Sequence, residues 1–232
     1  MGMLLFKIIA NICGSHIKQK MKIMSIERKL TDPIPTPKAV EFVKKFKDGN
    51  NGNPNYKIPT GWLFEKGIIE SLEITNVTGI SFYSAIDKDK QPDENNKYPL
   101  TFIMVPVIIN NKGVLRDLTD ETMYEFSQLC PTVCSVGVPG NYVLKDNSFT
   151  VPSSFYFSRS IFEQIFEQHP SSKGIRLYRN IIANKLELGI APVEDVAPNY
   201  NDLTLPIYTN VIGICDDSNQ NFCDLTSILY NA

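Results

Sequence analysis

At 232 residues, with 43% hydrophobic and 21% charged residues, the chain has the composition of a globular protein with a buried core, in one large domain or two small ones. A net charge of −2 gives no reason to expect a nucleic-acid partner, because phosphate binding needs a concentrated basic face. His16 and His169 are the only two histidines, which argues against acid–base chemistry centred on imidazole.

The apolar run Leu4 to Cys13 is interrupted by Lys7 and falls far short of the roughly 20 residues of a membrane span. It has neither the basic leading region nor the Ala-x-Ala-like site of a secretory signal. Asn11-Ile12 before Cys13 also match a lipoprotein site poorly. Met21 and Met24 offer later starts, so residues 1–23 read as a dispensable extension and the protein as cytoplasmic. Export or membrane association through residues 4–13 is the alternative.

Thr36-Pro37 opens a helix through Phe46, with Thr36 as cap and Pro37 at the first helical position. Ala39, Val43 and Phe46 form its apolar stripe, and Lys44, Lys45 and Lys47 its solvated face. The loop-forming run Asp48 to Pro54 ends it.

From Tyr56 onward the chain states one pattern twice. Tyr56 to Phe64 lies over Phe149 to Phe157 without a gap, and Ile68-Ile69-Glu70 over Ile161-Phe162-Glu163. A repeat decides architecture before single residues do. Each copy reads as a polar cap (Thr60, or Ser153 or Ser158) and a helix. The helix carries Phe64, Ile68, Ile69 and Leu72 on one face, or Phe157, Ile161, Phe162, Ile165 and Phe166. Glu70 and Glu163 point away from that face. A strand leaving a glycine follows, Gly79 to Tyr83 and Gly174 to Tyr178, with Tyr83 and Tyr178 assigned to the core. The next strand alternates Leu186, Leu188 and Ile190 with Glu187, Gly189 and Ala191, and Leu100, Phe102 and Met104 take the same places in the first copy. Pro106-Val107 and Pro192-Val193 close these strands. Asp87 to Lys97 forms a long polar hairpin loop, whereas the second copy turns within Ile181 to Lys185. Cys130 lies 24 positions after Pro106 and Cys215 lies 23 after Pro192, which makes two equivalent cysteine pairs, Cys130 with Cys134 and Cys215 with Cys223.

The expected fold class is α+β: two tandem related units, each a helix packed on a small antiparallel sheet. Residues 1–23 are the extension, 24–140 the first repeat with its extra leading helix, and 141–232 the second repeat.

Gly174-Ile175-Arg176-Leu177-Tyr178, the strand ending at Pro192-Val193 and the cysteine-rich tails resemble a family of short uncharacterised proteins found widely in Bacteroidota. Members carry a Gly-Ile-Arg-x-Tyr strand, a β-hairpin and a C-terminal Cys-Pro-x-x-Cys element. Cys130-Pro131-Thr132-Val133-Cys134 matches that element, and Cys223 to Asn231 its trailing end. Ser81 departs from the pattern at the arginine, and so does the Cys215-x7-Cys223 spacing. The resemblance implies a bacterial lineage and no activity.

Four paired cysteines offer three states: a Cys₄ zinc site on Cys130, Cys134, Cys215 and Cys223, one disulfide per half, or buried free thiols. No cofactor is called for, zinc being the alternative. His169-Pro170 follows a helix whose last carbonyls it can meet, and Asp216-Asp217 read as a solvated turn. Asn76-Val77-Thr78 fits a glycosylation sequon of no consequence in a bacterial cytoplasm. No phosphate loop, nucleophile elbow or His-Glu-x-x-His helix occurs. The sequence therefore points to a non-catalytic binding or structural module with a protein partner. A metal-stabilised module is the runner-up and a thiol redox protein the third reading.

Overall fold

The structure is a computed structural model describing residues 33–49, 56–59, 61–72, 76–87, 89, 91–119, 123–125, 128–129, 151–182, 185–194, 201–203, 213–215, 220 and 222–232. Residues 1–23, Cys130, Cys134, the boundary at 140/141 and Asp216-Asp217 lie outside that set. The described part is a mixed α/β fold in which strands predominate over three helices.

Helix α1, Thr36–Gly49, starts one residue earlier than the capping pattern places it. The Pro35 carbonyl accepts the N–H groups of Lys38 and Ala39 at 2.9 and 3.0 Å, so Thr36 is helical and Pro37 still occupies the first turn. Ala39, Phe42, Val43 and Phe46 are buried. Lys44 is exposed as expected, but the rest of the lysine cluster is not a free face. The Lys45 ammonium sits 3.6 Å from the Tyr98 ring centre, and Lys47 donates to main-chain carbonyls of the C-terminal segment.

In each half a strand runs into a helix with no intervening loop: β2 (Gly61–Glu65) into α2 (Lys66–Leu72), and β8 (Ser154–Ser158) into α3 (Arg159–Gln168). Phe64 and Phe157 therefore belong to strands, not to the helices that follow. Their spacing to Ile68 and Ile161 imitates a helical face, while the run of four buried residues opening each strand removes the alternation that marks a half-buried strand. Ser158 occupies the cap position of α3 but makes no side-chain cap bond, and Thr60 lies outside the described residues. Glu70 and Glu163 face solvent, each beside a cation one turn earlier: Lys66 at 3.6 Å and Arg159 at 2.7 Å.

The remaining strands are β1 (Tyr56–Lys57), β3 (Gly79–Ile86), β4 (Tyr98–Ile109), β5 (Leu115–Asp117), β6 (Tyr124–Glu125), β7 (Gln128–Leu129), β9 (Gly174–Ile182), β10 (Lys185–Glu194), β11 (Asn201–Asp202) and β12 (Gly213–Cys215). They form two sheets. The first runs β1-β4-β3-β8-β12, with β5 and β6 also on β4; the second runs β11-β10-β9-β2-β7. Pairing is antiparallel except for β1 on β4. The long loop between β3 and β4 is ordered by the Asp93 carboxylate, which accepts the N–H groups of Asn95 and Lys97 at 3.0 Å each.

Each sheet takes strands from both halves, so the halves are not separate helix-on-sheet units. Strand β2 pairs with β9, Gly61 opposite Tyr178 and Glu65 opposite Gly174. Reciprocally, β8 pairs with β3, Ser154 opposite Tyr83 and Ser158 opposite Gly79. The hairpins match too: Gly79 faces Val107 and Ile80 faces Pro106, while Gly174 faces Val193 and Ile175 faces Pro192. Farther out, Asp117 faces Val107 and Asp202 faces Val193. On the opposite edges Leu129 faces Trp62 and Ile214 faces Phe155. Gly79 and Gly174 lie where backbones nearly touch, since a Cβ there would come within 2.2 Å of the Phe157 carbonyl oxygen and 2.3 Å of that of Phe64.

The sheets pack face to face over an aromatic core. Trp62 stacks edge-on against Phe102 at 4.6 Å and Phe64 against Phe82 at 5.2 Å, joining the second sheet to the first. The Trp62 indole N–H donates to the Leu100 carbonyl across the same gap, at 2.9 Å. Leu186, Leu188 and Ile190 fill the core as their alternation requires, and β4 is buried on both faces through its middle. The outer face of the first sheet carries Tyr83, Ala85, Ile103 and Val105; α1 and Leu229 cover it.

Candidate functional site

The C-terminal residues 222–232 close the outer face of the first sheet, and the sequence signals converge there. Cys215, at the end of β12, is disulfide-bonded to Cys223 across eight positions, with Cα atoms 5.0 Å apart. Of the three states open to the cysteine pairs, this pair adopts the disulfide, which withholds two thiolates from a four-cysteine zinc set. Among the described residues no group of three or more His, Cys, Asp or Glu is placed to hold a metal.

Beyond Cys223 the chain winds into terminal turns. The Asp224 carboxylate organises them, one oxygen accepting the Thr226 N–H at 2.9 Å and its hydroxyl at 2.6 Å. The other oxygen accepts the Asp117 N–H from β5 at 2.9 Å. Leu229 is fully buried against α1 and β3, and Lys47 bonds to the carbonyls of Leu229 and Tyr230. Phe222 stacks on Tyr156, ring centres 6.1 Å apart.

Beneath this segment sits a polar cluster. Tyr83, assigned to the core from sequence, is indeed buried, but its hydroxyl donates to one carboxylate oxygen of Asp117. The other oxygen of Asp117 is buried with no hydrogen-bond partner among the described residues. The Ser227 hydroxyl lies beside both groups. Burial pushes the Asp117 carboxyl up from 3.8 to about 6; Ser227 and Tyr83 counteract it and the Asp224 charge adds to it. Burial, and then the Asp117 charge, hold the Tyr83 phenol well above its usual range.

The sign of the stability effect follows from where the proton sits. Between about pH 4 and pH 6 the folded chain keeps a proton on Asp117 that the unfolded chain releases, so stability falls as pH rises through that window. The full loss is about 3 kcal/mol, complete by neutral pH. Perturbed carboxyls of this kind mark functional sites and structural networks alike.

Asp117, Asp224 and Ser227 were missed in the sequence because each is an isolated polar residue in ordinary surroundings. Asp117 and Asp202 take the same place opposite Val107 and Val193, a correspondence visible only in the strand registers. Tyr178, the counterpart of Tyr83, is buried with its hydroxyl 3.0 Å from a guanidinium nitrogen of the fully buried Arg176. His169 ends α3, its backbone N–H donating to the Ile165 carbonyl at 2.9 Å.

Replacing Cys215 and Cys223 together by serine is expected to cost about 2–3 kcal/mol, the loop-closure value for so short a ring. Urea denaturation of oxidised wild type against the double variant measures it.

Comparison with protein families, with curated proteins and with solved structures returns no match to this chain.

Proposed function

We propose that the chain is an internally duplicated β-α-β-β unit whose halves exchange their first strands, and that it serves as a non-catalytic binding module for a protein partner. The duplication is supported by the shared registers of eight strand pairings in four matched sets, β2 with β9 and β8 with β3 foremost. The binding reading rests on the C-terminal turns. Leu225 and Ile228, three residues apart, are 49% and 48% exposed on a segment fixed at Cys223, Asp224 and Leu229. Holding apolar side chains outward on a braced scaffold suits recognition of a protein surface.

The Cys215–Cys223 disulfide favours an oxidising compartment, and with it the exported alternative over the cytoplasm. No described helix is long and apolar enough to cross a membrane.

A photo-crosslinking residue at position 225 or 228, introduced in cells that make the protein, tests the binding reading. A discrete protein adduct at these positions, absent when the crosslinker replaces the exposed Glu163, is the expected result. No adduct, or a robust turnover that one point mutation abolishes, contradicts it.

A further inference from the structure

We propose that residues 222–232 form a pH-responsive strap, closed over the outer face of the first sheet when Asp117 carries a proton and loosened when Asp117 is ionised. The proposal goes beyond partner binding and holds whether or not the strap meets a partner.

The geometry supplies both the seat and the conflict. Asp117 and Asp224, one on β5 and one on the strap, are both buried and are joined through the Asp117 N–H. Asp224 accepts the Asp117 N–H on one oxygen and the Thr226 N–H and hydroxyl on the other. Asp117 has one oxygen on the Tyr83 hydroxyl, the Ser227 hydroxyl also hydrogen-bonds to its carboxyl group, and its Oδ1 is buried with no hydrogen-bond partner among the described residues. An ionised Asp117 therefore sets a second negative charge under the strap, only part-compensated.

Among the described residues, the groups around it offer no neutralising charge. From β3 comes the neutral Tyr83; from the strap, Asp224 and the neutral Ser227. Arg116, on β5 itself, is exposed, and Lys47 of α1 is engaged with the strap's own carbonyls. The equivalent place in the second sheet differs. There Arg176 precedes Tyr178 by two residues, where Ser81 precedes Tyr83, and the Ser81 hydroxyl is itself buried and unbonded. A proton on Asp117 is thus what removes the repulsion in the first sheet. The burial-raised titration near pH 6 brings the transition into a mildly acidic range.

Hydrogen exchange of the oxidised full chain, read by mass spectrometry on peptides spanning 222–232, tests this at pH 5.0 and 7.5 after correction for intrinsic rates. Protection of the strap amides in the wild type is expected to fall about tenfold over that interval. Asp117→Asn keeps the shape and an acceptor for Tyr83, and should make protection independent of pH. A flat wild-type profile overturns the proposal, as does an Asp117→Asn profile with the wild-type slope. Should that variant fail to fold, Asp224→Asn is expected to move the wild-type midpoint to lower pH, and an unmoved midpoint overturns the proposal equally.

Discussion

Gly79→Ala and Gly174→Ala are each expected to destabilise the fold by about 3 kcal/mol or more, or to prevent folding. The obstacle in both is backbone, not a side chain that could swing away. A methyl at Gly79 meets the Phe157 carbonyl oxygen at 2.2 Å and the Tyr156 ring at 2.5 Å; at Gly174 it meets the Phe64 carbonyl oxygen at 2.3 Å. Relief would require β3 to part from β8, or β9 from β2. Gly67→Ala is the matched control, because its Cβ would find nothing within 4 Å on helix α2. That change should stabilise by up to about 1 kcal/mol through helix propensity. Urea denaturation of the three variants separates the outcomes, and equal small effects at all three positions would contradict the close approach.

Trp62→Ala is expected to cost about 3–5 kcal/mol. The indole is fully buried between the sheets and packs on Phe102 at 4.6 Å, so truncation opens a cavity where the layers meet. It also removes the donor from the Leu100 carbonyl in the facing sheet. Trp62→Phe keeps most of the packing and loses the hydrogen bond, so an intermediate loss of about 1–3 kcal/mol should follow. Thermal unfolding followed by circular dichroism measures both, since Trp62 is the only tryptophan and fluorescence would vanish with it.

The periodic parts of this fold were legible beforehand. Helix α1 announced itself through Thr36-Pro37 and a spaced apolar stripe, and β10 through strict alternation at Leu186, Leu188 and Ile190. Gly79 and Gly174 marked strand starts for a reason the sequence could not show, the contact of two backbones. Strands β2 and β8 were hidden because their buried aromatic runs lack alternation and join a helix directly. No short-range signal states which half's strand lies beside which, so the exchange between sheets was not legible either.

The site divides the same way. Cys215 and Cys223 stood out as a pair, while their bonding depends on the strap's path across β12. Asp117 carries no signal of its own in the sequence. Only the strap, bringing Asp224 and Leu229 over it, makes it a buried acid. Lys45 and Lys47 misled in the opposite sense, since long side chains can leave a solvated face and lie along apolar neighbours.

Cross-strand backbone NOEs in the isotope-labelled protein test the central claim, the exchange of first strands between halves, most directly. Contacts are expected from Trp62 and Leu63 to Leu177 and Arg176, and from Phe155 and Tyr156 to Phe82 and Ser81. Halves closed upon themselves would instead connect residues 61–65 to residues 79–83 and residues 154–158 to residues 174–178, and that pattern would contradict it.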